Sequence, residues 1–163
     1  MKAAFFKGTH PGWKGIMGRL TKLWMVGPYS HCELVVGEPD ADGLSTCWSS
    51  TFLDKGVRQA KIALDSADWD ILDLPLSAAQ EASAVAWFES NKGAPYDVLA
   101  LFGFFWRPIK GFSRYYFCDE ALLTSLGFGE AWRQDPNSAY QLLLGAASML
   151  RERVDSDGSL PVA

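Results

Sequence analysis

This chain of 163 residues has few of the side chains that form disulfides or bind metals: three cysteines and two histidines. An odd number of cysteines without close spacing does not fit a disulfide framework. We therefore expect Cys32 and Cys47 to be reduced core thiols, which could face each other if they lie on neighbouring strands. No CxxC or HxxxH spacing occurs, so the sequence predicts neither a metal site nor a cofactor.

Positive charge and long apolar runs are also scarce. The chain has 15 Lys and Arg against 19 Asp and Glu, a net charge of −4, so nucleic acid is not an expected partner. The longest apolar stretch, residues 98–106, is too short to span a bilayer, although its aromatic part at 102–106 leaves membrane contact as a minor alternative. The first eight residues lack the apolar core of a signal peptide, which predicts synthesis in the cytoplasm without one.

Local patterns predict one α+β domain over residues 1–150 and a flexible tail over 151–163. Alternating apolar residues predict strands at 3–7, 31–36, 44–52 and 69–74, and the polar run 37–43 predicts a hairpin turn between the second and third. Helical spacing predicts helices at 13–25, 77–91, 118–126 and 137–149, and a further one from residue 94. Ser77 with Gln80 forms a capping box, and Asn137 is the expected cap of the last helix.

Cys118 is the strongest candidate for a reactive residue, because it opens a predicted helix. A catalytic cysteine needs a lowered pKa, and a helix N-terminus supplies partial positive charge and free N–H groups. The same N–H groups can hold the oxyanion formed when a carbonyl is attacked. Asp119 and Glu120 suit the helix dipole, but we expect them to point away from the sulfur, whose pKa their charge would raise.

His31 is the expected general base, because the other histidine lies in a turn before a proline. A third polar group usually orients such an imidazole. If the hairpin turns near residues 40–41, His31 faces Ser50, with Ser49 and Thr51 as neighbouring alternatives. Glu33 is the rival, because it lies two residues on and shares a strand face with His31.

Two segments resemble the NlpC-type cell-wall peptidases. The run Lys92-Gly93-Ala94-Pro95-Tyr96, followed later by Phe117-Cys118-Asp119-Glu120, is similar to their G-x-P-Y stretch before a cysteine that begins a helix. The histidine strand Ser30-His31-Cys32-Glu33-Leu34-Val35 precedes that cysteine, as in the permuted branch of this papain-like superfamily. That branch includes phage-associated proteins, whose next strand resembles residues 48–58 here, and lecithin–retinol acyltransferase-like enzymes. The resemblance spans roughly residues 29–127.

This resemblance implies a circularly permuted papain-like fold, in which a small antiparallel sheet packs on the cysteine helix. It implies Cys118 as nucleophile, His31 as base, and Ser50 or Glu33 as the orienting group. Tyr96 matches the G-x-P-Y tyrosine and is expected to contact the substrate or the oxyanion, and Ser49 and Tyr29 are further substrate-binding candidates. Many relatives have Cys-Ser-Glu where this chain has Cys-Asp-Glu at 118–120.

The expected function is hydrolysis of an amide bond. The usual substrates of the family it resembles are peptidoglycan stem peptides, so a cell-wall peptide is the expected substrate. A phage or prophage origin would fit a small enzyme of this kind. One alternative is acyl transfer or thioester chemistry on lipids, with residues 102–106 lining an acyl pocket. Another is a non-catalytic domain that serves binding or virion assembly. The sequence leaves the oligomeric state open.

Overall fold

The computed structural model describes residues 1–8, 27–96 and 115–157. Five strands form one sheet: β1 (Lys2–Phe6), β2 (His31–Val36), β3 (Ser45–Thr51), β4 (Gly56–Ile62) and β5 (Trp69–Asp73). Three α-helices follow in the described part of the chain: α1 (Ala78–Ser90), α2 (Cys118–Ser125) and α3 (Pro136–Asp157). The architecture is α+β, as the sequence predicted. The helices predicted at 13–25 and from residue 94, and the aromatic stretch 102–106, lie outside the described residues or almost wholly so.

The sheet is antiparallel throughout, in the order β4-β3-β2-β1-β5. The predicted hairpin joins β2 to β3, and its turn is closed by hydrogen bonds between Asp40 and residues 43 and 44. Leu34 pairs with Trp48, and this register, continued to the start of β2, places Thr51 opposite His31. The expectation that Ser50 faces His31 is therefore wrong by one residue, which turns a strand side chain to the other face.

The two faces of the sheet bury different residues. One face packs on the helices, and its buried members include Cys32, Leu34 and Trp48 together with Cys118 of α2. The opposite face carries a smaller cluster in which Cys47 packs with Val35 and Ala4. Cys32 and Cys47 are both free and buried, but they do not face each other, because Cys47 pairs with Val35. Cys32 therefore lies on the face of the sheet that packs against α2, and Cys47 lies on the opposite face.

The helix starts show one confirmed cap and one corrected cap. Ser77 and Gln80 form the predicted capping box at the start of α1. At the start of α3 the carboxylate of Asp135 accepts the first N–H groups, whereas the side chain of Asn137 hydrogen-bonds to the backbone of Tyr29. The last helix continues to Asp157. None of the described helices combines the length and apolar character needed to cross a membrane.

Candidate active site

The start of α2 is held against the sheet by backbone contacts on both sides. Tyr116 receives a hydrogen bond on its carbonyl from Ser50 Oγ at 2.6 Å, and its N–H donates to the Pro95 carbonyl at 3.2 Å. Phe117 then serves as the N-cap without a side-chain cap of its own. As at any helix start, the N–H groups in the first turn of α2 have no acceptor within the helix. Phe117 supplies no side-chain hydrogen bond to them.

Cys118 and His31 meet where β2 begins and α2 begins. Each side chain shifts the pKa of the other through its charge and through hydrogen bonding. A hydrogen bond from the Cys32 thiol, together with the charge and hydrogen bond of His31, lowers the pKa of Cys118 well below its ordinary value although burial opposes this. Burial alone would lower the pKa of His31, but the charge of Cys118 and hydrogen bonds to Cys118 and Glu33 raise it to about 10. Both shifts favour the thiolate–imidazolium form of the pair over the neutral one.

Access to this pair is narrow. Cys118 is 5% exposed, whereas the side chain of His31 is 23% exposed.

Glu33 fills the place of the third polar group. Its Oε1 lies 2.7 Å from His31 Nε2, which leaves Nδ1 as the ring nitrogen available to Cys118. Glu33 is fully buried, and burial raises the pKa of its carboxyl. Hydrogen bonds from Arg58 and His31, and their positive charges, outweigh burial and lower that pKa below its ordinary value. The carboxylate is thus ionised and able to orient a charged imidazole.

Asp119 does not point away from the sulfur, contrary to the sequence-based expectation. It is only 2% exposed, and its Oδ1 lies 3.6 Å from Cys118 Sγ. Its Oδ2 has no hydrogen-bond partner among the described residues. Burial and the negative charge of Cys118 raise the pKa of Asp119 well above its ordinary value. This shift favours the protonated, neutral form of Asp119, which does not repel a thiolate as an ionised carboxylate would.

Cys32 is a second thiol at the site. Its side chain and its backbone N–H both hydrogen-bond to Cys118. Burial and that hydrogen bond raise the pKa of Cys32, so it remains a thiol and donates to the thiolate. The sequence placed Cys32 in the core, but gave no sign that it would contact Cys118.

The remaining predicted residues divide into those near the site and those elsewhere. Ser50 is fully buried and binds the Tyr116 carbonyl, so it holds the approach to α2 and does not contact His31. Ser49 is a buried residue of β3, and its hydroxyl donates to the Cys32 carbonyl at 2.7 Å. Tyr29 is buried too, with its hydroxyl on Asp70 at 2.7 Å. These contacts give Ser49, Ser50 and Tyr29 structural roles.

Tyr96 lies close to the start of α2. Its ring packs edge-on against Phe117, the residue before Cys118, with ring centroids 5.5 Å apart. A second edge-on contact joins it to the exposed Phe52 at 6.1 Å. Tyr96 is therefore near the candidate nucleophile, as the sequence suggested.

Arg58 is the site residue that the sequence did not single out. Its guanidinium binds both oxygens of Glu33, at 2.6 and 2.5 Å. The only local signal is the position of an arginine on a strand next to the predicted hairpin, which does not distinguish it from a surface arginine. Within residues 1–8, 27–96 and 115–157, no three His, Cys, Asp or Glu side chains are placed to hold a metal ion.

In comparisons with models of known families, with curated proteins and with solved structures, nothing matches this chain.

Proposed function

We propose that this protein is a cysteine hydrolase that cleaves amide bonds through Cys118. The observation that carries the proposal is Cys118 at the start of α2 with His31 lowering its pKa, while Glu33 holds the imidazole at 2.7 Å. A structural cysteine in an apolar core has a raised pKa, as burial gives Cys47, whose pKa is about 12. Cys118 is shifted in the opposite direction, which is the shift that a nucleophile requires.

The proposed reaction follows from the order of these groups. The Cys118 thiolate attacks the carbonyl carbon, and the electron pair of the C=O bond moves to the oxygen. The N–H groups in the first turn of α2 are the proposed donors to that oxyanion, because they are next to Cys118 in the chain. When the C–N bond breaks, the His31 imidazolium gives its proton to the leaving amine and leaves a thioester. Neutral His31 then takes a proton from water, whose oxygen displaces the Cys118 sulfur, and the acid is released.

The proposed substrate class is peptide amides of the bacterial cell wall. Support comes from the resemblance to NlpC-type peptidases and from the arrangement of a sheet with a histidine strand ahead of a cysteine helix. We propose on the same grounds that the fold is the circularly permuted papain-like one. Tyr96 is then a candidate to contact the substrate, because it packs beside Phe117.

The test is turnover of purified peptidoglycan stem peptides, followed by mass spectrometry. The wild-type chain should release fragments, and Cys118→Ala should abolish their release because it removes the thiol whose pKa is lowered for attack. The matched control is Cys47→Ala, a buried thiol on the other face of the sheet, which should retain activity. Turnover that survives in Cys118→Ala would rule out this mechanism.

A non-catalytic binding domain is the second candidate, and the 5% exposure of Cys118 favours it. In that case the wild-type chain would bind stem peptides without cleaving them. Equal peptide binding by wild type and Cys118→Ala, with no fragments from either, would support binding alone.

A further inference from the structure

Glu33 of β2 lies between two positively charged groups, His31 of the same strand and Arg58 of β4. On one side it contacts His31 Nε2 through Oε1 at 2.7 Å. On the other side Arg58 binds it with both terminal nitrogens, Nη1 to Oε2 at 2.6 Å and Nη2 to Oε1 at 2.5 Å. Glu33 is fully buried, and the side chain of Arg58 is only 16% exposed. Such a two-pronged contact fixes the carboxylate in one orientation, because both of its oxygens are held.

The strand register explains how an arginine on β4 reaches a glutamate on β2. Arg58 pairs with Ser49 of β3, and the β2–β3 register continued by one residue places Ser49 beside Glu33. Paired residues of antiparallel strands share a face of the sheet, so the three form a row. The middle member has a short side chain whose hydroxyl turns to the Cys32 carbonyl. Arg58 therefore passes over Ser49 to reach Glu33.

Arg58 is itself held from its outer side. Its Nε donates to Asp54 Oδ2 at 3.0 Å, and Asp54 also accepts from the hydroxyl of Thr51. The side chain of Asp54 is about half exposed, whereas Glu33 is fully buried. The strength of the two contacts therefore differs, because water screens the outer pair and not the inner one.

A buried carboxylate that lost Arg58 would have only His31 to stabilise its charge. Burial raises the pKa of Glu33, and hydrogen bonding to Arg58 is the largest opposing influence. The other titratable groups whose charge acts here are Cys118 of α2, Cys32 of β2 and Cys47 of β3. None of these three supplies a positive charge, so Arg58 and His31 keep Glu33 ionised, and the hydrogen bonding of Arg58 has the larger effect.

We propose that Arg58 is a positioning residue for the Cys118–His31 pair, acting through Glu33. It fixes the carboxylate against His31 Nε2, so that the imidazole presents its other nitrogen to the sulfur as a charged donor. This inference rests on the proposed function, because it assigns a role to a residue that touches neither the thiolate nor a substrate. Ser49 has a role in the same arrangement, because a larger side chain there would obstruct Arg58.

The experiment measures the rate at which iodoacetamide alkylates Cys118 between pH 5 and 9, with the site assigned by peptide mass spectrometry. Arg58→Met removes the positive charge and the two hydrogen bonds to Glu33, and it keeps a side chain of similar length. We expect the pH profile of its Cys118 alkylation to shift upward by about one unit, which lowers the rate by about tenfold on the acidic side of the profile. Arg58→Lys keeps the charge without the planar fork, and its rate should fall by less. The control Asp54→Asn breaks only the outer contact and should react like wild type.

Circular dichroism and urea unfolding establish which variants fold. If Arg58→Met does not fold, Arg58→Lys decides the matter, since it leaves a positive charge at Glu33. A folded Arg58→Met, or in its absence a folded Arg58→Lys, whose alkylation has the wild-type pH profile overturns the proposal. A wild-type Cys118 that reacts only near the free-thiol pKa instead overturns the proposed function, so the two failures are distinguishable.

Discussion

Single residues at the start of α2 set the charge state of the site. Cys118 carries the negative charge, and Cys32 and Asp119 lie beside it as a thiol and a neutral acid. A second carboxylate at this distance would repel the thiolate and raise its pKa. The site avoids this repulsion because burial keeps the proton on Asp119. An acidic residue next to the nucleophile is therefore compatible with a reactive thiolate.

Asp119→Asn tests the neutral state of this acid. Because asparagine has nearly the shape of a protonated aspartic acid, we expect Cys118 alkylation at pH 6 to stay within about twofold of wild type. If Asp119 were ionised, the substitution would remove a negative charge and raise alkylation strongly. Glu120→Gln, the neighbouring and partly exposed acid, serves as control.

The same substitution should stabilise the fold above pH 4. The pKa of Asp119 is raised in the folded state, so the stability linked to its proton is present below the unfolded value and lost as pH rises. Asparagine does not titrate. The free energy of unfolding of Asp119→Asn minus that of wild type should therefore grow from pH 4 to pH 8. Urea unfolding at these two pH values measures it, and a constant difference would contradict a buried neutral acid.

At the scale of elements, the site depends on how α2 docks on the sheet. Ser50 of β3 fixes the Tyr116 carbonyl, two residues before the nucleophile. The Pro95 carbonyl receives the N–H of the same residue, so the chain entering α2 is held from both sides. Gly56 at the start of β4 lets these segments approach, because a Cβ there would lie 2.0 Å from the Ala94 carbonyl oxygen.

Ser50→Ala should weaken this docking. It leaves the Tyr116 carbonyl without its side-chain donor, and we expect the free energy of unfolding to fall by about 1–3 kcal/mol. Ser90→Ala is the matched control, because Ser90 is exposed and its hydroxyl bonds within its own helix. Urea unfolding compares the two, and equal effects would show that the Ser50 contact contributes nothing particular to the start of α2.

Local signals in the sequence predicted most of these elements but not their mutual placement. Alternation predicted β2 and β3, and the capping box marked the start of α1, because both patterns depend on neighbouring residues. The turn between β2 and β3 moved the register by one residue, so Thr51 and not Ser50 lies opposite His31. The imidazole is held instead by Glu33 of its own strand. The reach of Arg58 across a strand depends on three strands together, so no local pattern could reveal it.

For the whole molecule, the Cys118–His31 pair links folding to pH on both sides of neutrality. The stability from His31, whose pKa rises from 6.5 to about 10 on folding, is complete below pH 6.5 and is lost as pH rises. The stability from Cys118, whose pKa falls on folding, is complete above pH 9.0 and is lost as pH falls. Between pH 6.5 and 9.0 the two slopes cancel, because unfolding only returns a proton from His31 to Cys118.

We therefore expect a plateau in the stability that the pair contributes. The quantity to measure is the free energy of unfolding of Asp119→Asn minus that of Asp119→Asn/His31→Ala/Cys118→Ala, from pH 5 to 10. The shared Asp119→Asn change is needed because the charge of Cys118 raises the pKa of Asp119. This difference should be flat from about pH 6.5 to 9.0 and fall on either side. Subtraction removes most of the contribution of Cys47, which titrates in both proteins. A difference that is the same at every pH would contradict a buried ion pair.

The measurement that tests the central claim most directly is the pH dependence of Cys118 alkylation in wild type and in His31→Ala. A thiolate held by His31 should react with iodoacetamide well below the free-cysteine pKa of about 8.5, and this reactivity should be lost in His31→Ala. Peptide mass spectrometry separates Cys118 from Cys32 and Cys47. A wild-type rate that rises only near pH 8.5 or above, or a His31→Ala variant with the wild-type profile, would contradict the account.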